Sequence, residues 1–212
     1  MKEAKKIKEN AKNIFSPYYI YCLIIVMIFF ALRGIQWGLV SYGFVAFKMA
    51  GQQLLLEFLM TVSVILGFFI TTPIEVGVKR FFLKLVRDEA EMKDILFPFK
   101  KSYDRVLIVL FLRNVKIVLW SALLIVPGIY KAYEYAMVPY ILVEKPSVSN
   151  REAFEISKRM MHGNRWKLFK LQLSFAGWYV LATIPLFAGF MFLSPYTQTA
   201  EALFYEEIKK NK

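Results

Sequence analysis

One cysteine, Cys22, and one histidine, His162, are all that 212 residues contain. A lone cysteine has no intrachain partner, so a disulfide scaffold is excluded. Together the two residues also exclude a His/Cys zinc cluster built within one chain. Aspartate is scarce too. Asp88, Asp94 and Asp104 all fall in one polar connection, too scattered for a two-metal or phosphoryl-transfer site. No GxSxG, HExxH or P-loop occurs. Ser157 has no base beyond His162, which lies five residues on and off its helical face. The inventory implies no cofactor and no metal, and it argues against an enzyme.

Charge is missing where it matters most. The 30 residues from Leu171 to Ala200 carry none, and Lys170 and Glu201 fence the run. A straight helix of that length, about 45 Å, would overshoot a bilayer core of about 30 Å. Pro185 and Gly189 sit mid-run, so the spacing predicts two helices in a tight hairpin. Composition agrees: 58% of residues are hydrophobic and mean hydropathy is +0.45, against about 45–50% apolar in soluble domains. The expected class is an all-α, polytopic membrane protein.

The net charge is +12, and 23 of the 28 Lys and Arg fall in residues 2–12, 79–105, 145–170 and 209–212. If the apolar runs between them are spans, those four segments share one side, which positive-inside bias makes the cytoplasm. Such a face attracts anionic lipid headgroups. Nucleic acid is not an expected partner, because the basic residues flank apolar runs instead of lining one soluble face. The lysines before Tyr18 resemble the start of a signal peptide. No small-x-small cleavage site follows, so an uncleaved first span is expected.

Residues 1–16 place Ile7, Ala11, Ile14 and Phe15 on one helical face, which predicts an amphipathic segment on the inner membrane surface. Residues 17–212 are then a single six-helix transmembrane domain. The first span starts near Tyr18, with Gly34 and Gly38 forming a GxxxG pair toward its outer end. The second lies between Glu57 and Glu75, and the third covers Val106–Val126 and breaks at Pro127-Gly128. A shorter fourth ends at Glu144. The fifth starts at Trp166, and the sixth returns through Pro195 to Lys209-Lys210. Between the fourth and fifth, Ser149 and Glu152 make a capping box and Gly163 the stop of an interfacial helix at 149–162. Six spans in three hairpins put both termini in the cytoplasm. Each hairpin carries a proline followed by a glutamate: Pro73 and Glu75, Pro127 and Glu134, Pro195 and Glu201.

Four stretches carry a family likeness: RFFLKLVRDE from Arg80, LWSALLIVPGIYKAYEYAMVPYILVEKP from Leu119, MMHGNRWKLFKLQLSFAGW from Met160 and SPYTQTAEALFYEEI from Ser194. Together they resemble the domain-of-unknown-function 975 family of bacterial integral membrane proteins, over nearly the whole chain. The resemblance implies six helices in a bacterial cytoplasmic membrane and carries no activity or residue role. The chain departs from the family chiefly in a longer, polar outer connection at Ser41–Gln53.

Charges within spans cost about 2.5–3.5 kcal/mol each and need partners or an escape. Glu75, Arg113, Lys116, Lys131, Glu134 and Glu201 form the candidate intramembrane polar network, with Lys131 and Glu134 at i, i+3. The network is either an ion or substrate path or a static set of ties between helices. Tyr133, Tyr140, Trp166 and Tyr196 are the candidate interfacial or lipid contacts. The expected function is a non-enzymatic interaction, accessory or immunity-type component that binds another membrane protein or lipid. The alternative is a small transporter or channel-like protein with a polar intramembrane path.

Overall fold

The computed structural model describes residues 2–100, 103–183 and 188–210, and among them every regular element is helical. The first element, α1 (Lys2–Phe15), buries Ile7 and Ala11 and packs Ile14 and Phe15 against the core. Its apolar stripe, expected on a bilayer surface, faces the last helix of the chain. A single turn at Ser16–Tyr18 leads into α2 (Tyr19–Ala50), with Pro17 at the helix start where a missing N–H costs nothing.

The expected polar connection at Ser41–Gln53 is also corrected. Phe44, Val45, Phe47 and Met49 keep the sequence apolar, and α2 continues to Ala50. Gly51 ends it in the left-handed region at φ +63°, its N–H bonded to the Phe47 carbonyl. The next helix begins at once as α3 (Gln53–Leu66), passes through a π-helical turn at Gly67–Thr71 and continues as α4 (Thr72–Leu85). The π turn has a visible cause. Gln36 of α2 inserts its amide there, donating to the Ser63 carbonyl at 3.1 Å and accepting from Thr71 Oγ1 at 3.2 Å. A Cβ on Gly67 would lie 2.5 Å from Gln36 Nε2.

After α4 the chain folds back along it. Glu91 and Asp94 cap the turn at Met92–Leu96, and α5 (Phe97–Lys100) follows. Next, α6 (Tyr103–Leu123) stops at an extended Leu124, three residues before Pro127, and α7 (Ile125–Glu134) turns back on it. Gly128 makes that turn possible: a Cβ there would meet Ser121 Oγ at 2.1 Å.

The expected fourth helix is two pieces, α7 and α8 (Val138–Glu144). Pro139 cannot donate to the Tyr135 carbonyl, so the helical ladder breaks there. Next come α9 (Asn150–Met161), α10 (Arg165–Leu173), α11 (Ala176–Thr183) and α12 (Ala188–Lys210). The expected fifth helix is thus divided as well, at Ser174-Phe175, where Ser174 Oγ donates to the Leu171 carbonyl at 2.6 Å. Ser149 Oγ caps α9 by accepting from the Glu152 N–H, and Gly163 at φ +77° follows its end. The apolar stripe of α9 turns inward. Phe154, Met160 and Met161 are buried in the protein core, because the helix packs on α7 and α8. The turn expected at Pro185 lies outside the described residues. On its two sides α11 and α12 meet closely, with a Cβ on Gly189 falling 2.6 Å from Ala182 Cα.

Among the described residues, three stretches are long and apolar enough to cross a membrane: Ala4–Ala50, Gln53–Leu85 and Tyr103–Leu123. Their most apolar parts are mostly uncovered by the rest of the protein; Trp37, Leu54, Val64 and Leu123 stand more than two-thirds exposed. The core instead gathers α1, the start of α2, α4, α8, α9 and the second half of α12.

Candidate functional site

The predicted polar residues divide into two clusters and do not form one network. The first lies on α4, α10 and α12. Lys79 Nζ donates to Glu201 Oε2 at 2.7 Å and to Gln198 Oε1 at 2.8 Å. Gln172 Nε2 donates to the other Glu201 oxygen at 3.1 Å, and Tyr133 OH donates to Gln172 Oε1 at 2.8 Å. The result is an unbroken chain of hydrogen bonds from Tyr133 to Lys79. Glu75, one turn before Lys79 on α4, faces Arg113 of α6 at 3.7 Å. Each residue is where it is for a simple reason. Residues 75 and 79 share a helical face at i, i+4, and Glu201 and Gln198 do so at i, i+3.

Glu134 anchors the second cluster and is 2% exposed. Lys131 reaches its two oxygens at 3.1 and 3.2 Å, and Arg165 Nη2 approaches at 3.6 Å. The Glu134 carbonyl accepts from Ser157 Oγ at 2.8 Å, which ties α7 to α9. Arg165 also donates to Tyr130 OH at 2.6 Å and lies 4.2 Å over that ring. Among the described residues Lys116 makes no ion pair. Its ammonium sits 3.7 Å above the Phe154 ring and 5.8 Å from Tyr135, a cation–π setting.

The four candidate interfacial residues also divide. Tyr133 and Trp166 line a groove between α7 and α10, of about 430 Å³, together with Val126, Ile129, Tyr130, Gly163, Arg165 and Phe169. Trp166 is 60% exposed and stacks on Phe169 at 4.8 Å. Tyr140, by contrast, is buried at 1%, stacked 5.0 Å from Tyr205 with Lys79 over its ring. Its expected lipid contact is therefore corrected: the α4 and α12 side chains enclose it. Tyr196 is half-buried between Phe15 and Phe175, a packing position within the helix contacts.

Residues 122–212 match the family described as "Protein of unknown function (DUF975)". Over that segment the chain is similar to this family. No curated protein and no solved structure matches the chain. The matched segment supplies Tyr133, Glu134, Arg165, Gln172 and Glu201, while Glu75, Lys79 and Arg113 come from before it. The stretch quoted from Arg80 lies outside the match.

A third charged group sits at the ends of α4, α8 and α12. Glu144 is bonded by Arg87, Lys209 and Tyr205, and Arg87 also reaches Glu206. Beside it Asp94, 4% exposed, receives Arg80 Nε at 2.9 Å, Lys84 Nζ at 3.2 Å and the Glu91 N–H at 3.0 Å. Burial pushes the Asp94 carboxyl up, but those three donors outweigh it and hold it below the usual carboxylate range. Among the described residues no three of His, Cys, Asp and Glu gather closely enough to hold a metal ion.

Sequence reasoning missed Lys79, Arg165, Gln172, Gln198 and Gln36. Lys79 and Arg165 were counted with the inner basic segments, which concealed their inward role. A polar amide in an apolar run, as at Gln36 and Gln172, was the available signal.

Proposed function

We propose that this chain is a six-span protein of the bacterial cytoplasmic membrane that acts without catalysis, by binding a membrane partner or lipid, with both ends on the inner face. The observation that carries this reading is the pairing of the charges carried on the helices. Glu75, Glu134 and Glu201 each face a basic residue, while the apolar faces of α2, α3 and α6 point away from the protein. Such faces suit lipid or another membrane helix. The orientation is supported by α1 and α12, whose Lys6–Asn10 and Glu206–Lys210 segments lie side by side and bring both ends together. Broken helices at 125–144 and 165–183 are compatible with spanning, because irregular backbone is tolerated at membrane depth where protein surrounds it.

The second reading, a small transporter, draws support from the hydrogen-bonded chain Tyr133–Gln172–Glu201–Lys79. Two measurements separate the two. Purification from native membranes, with mass spectrometry of proteins and lipids, is expected to recover a defined partner that is lost when α9 is altered. Liposomes holding the wild type are expected to pass no ion. Flux that Glu134→Gln abolishes in a folded protein would overturn the binding reading in favour of transport.

A further inference from the structure

We propose that the groove between α7 and α10 holds one anionic phospholipid, with its phosphate beside Lys131 and Arg165 and the upper part of a chain along Val126, Ile129 and Trp166. This rests on the membrane-binding reading above and names its ligand class.

Charge balance is the first support. Lys131 and Arg165 both face Glu134, at 3.1 and 3.6 Å, and Lys116 shares the Tyr135 ring with Lys131 at 5.8 and 5.6 Å. Two cations thus face one carboxylate, with a third across the Tyr135 ring, and the complement of that excess is an anion. The second support is an unmet donor. Arg165 uses its Nη atoms on Tyr130 and Glu134, while its Nε–H is buried with no acceptor. A guanidinium offers five donors in a fixed fork that matches phosphate oxygens, and a buried donor without a partner is costly.

The walls decide between a lipid and a free anion. Val126 is 76% exposed and Ile129 52%, and they continue the groove into the open apolar face of α7. Tyr130 and Trp166 offer rings with one polar edge, as residues at a lipid headgroup boundary do. A free phosphate would gain nothing from such walls. The volume of about 430 Å³ suits a headgroup and upper chain, within the range of about 300–1,000 Å³ common for small-ligand sites.

The test is native mass spectrometry of the purified full chain from micelles holding equal phosphatidylglycerol and phosphatidylcholine. One phosphatidylglycerol is expected to be retained in preference to phosphatidylcholine. Arg165→Gln and Lys131→Gln should each lower that retention by about fivefold, the worth of one basic residue at an anionic surface. Because both residues pair with Glu134, Trp166→Ala gives an independent arm: its side chain is exposed, so the fold survives and retention still falls. Lys145→Gln with Arg159→Gln removes two exposed cations elsewhere and should leave retention unchanged. No lipid preference, full retention in Arg165→Gln, an equal loss in the Lys145 and Arg159 control, or displacement by inorganic phosphate alone would each overturn the proposal. A protein that needs detergent yet shows no lipid preference sinks this inference only. A protein monodisperse without detergent sinks the membrane reading beneath it.

Discussion

The α4–α12 contact and the α2–α3 contact are built from opposite materials. In the first, Lys79, Gln198, Glu201, Tyr140 and Tyr205 make a covered interior in which charge is matched atom by atom. In the second, the polar tie is Gln36 with Ser63 and Thr71, and around it the outward faces are bare hydrocarbon. The contrast teaches where stability resides. The first contact tolerates no loss of a partner, because the remaining charge stays covered. The second depends on its surroundings being apolar, since little of the protein covers it.

The sharpest way to break the contrast is Lys79→Met. It leaves Gln198 without its donor and Glu201 with only the Gln172 amide, and removal of one partner from a covered pair destabilises by about 3 kcal/mol. Unfolding in detergent followed by tryptophan fluorescence should show this loss, and adding Glu201→Gln should restore most of it. Equal stability of wild type and Lys79→Met would mean that water reaches the pair. Gly77→Ala comes next. Its Cβ would lie 2.0 Å from the Ile95 carbonyl oxygen and 2.8 Å from Ile95 Cα, both main-chain atoms that cannot simply rotate away. Overpacking of this kind costs about 1–3 kcal/mol, and the same unfolding assay measures it.

A weaker effect follows from Asp94, whose folded-state carboxyl is held low by Arg80, Lys84 and the Glu91 amide. A depressed folded value contributes stability above the unfolded carboxylate pKa of about 3.9, and this contribution is lost as pH falls through the folded value. Wild type should therefore lose stability below about pH 4, and Asp94→Asn should flatten that part of the acid profile. A limb unchanged in Asp94→Asn would assign acid sensitivity to other carboxylates.

Much of the helix placement was legible because apolar runs and their stops are local. Ser149 as a cap, Gly163 past the end of α9 and the Lys131–Glu134 pair all depend on neighbours within four residues. What could not be read was which partner covers a stripe. Ile7 and Ala11 carry the same pattern whether lipid or α12 receives them, and Phe154 and Met160 repeat the ambiguity in α9. Lys79 and Glu201, 122 residues apart, meet only through tertiary packing. Tyr140 likewise looked interfacial because its composition suits a boundary, and only the stacking of Tyr205 and the cover of Lys79 decide otherwise.

The smallest expected effect sharpens the comparison from the other side. Gly34 and Gly38 spell a GxxxG pair, yet a Cβ on either would find nothing within 4 Å. If these glycines serve no contact within the chain, Gly34→Ala should stabilise α2 by about 0.5–1 kcal/mol, the difference in helical preference between the two residues. Gly77→Ala and Gly34→Ala are the same chemical change on two helices and should differ in sign. The unfolding assay in detergent reads both. A stability loss from Gly34→Ala would mean that another helix packs on this face, and self-association in cross-linking would then tell a second copy from a different partner.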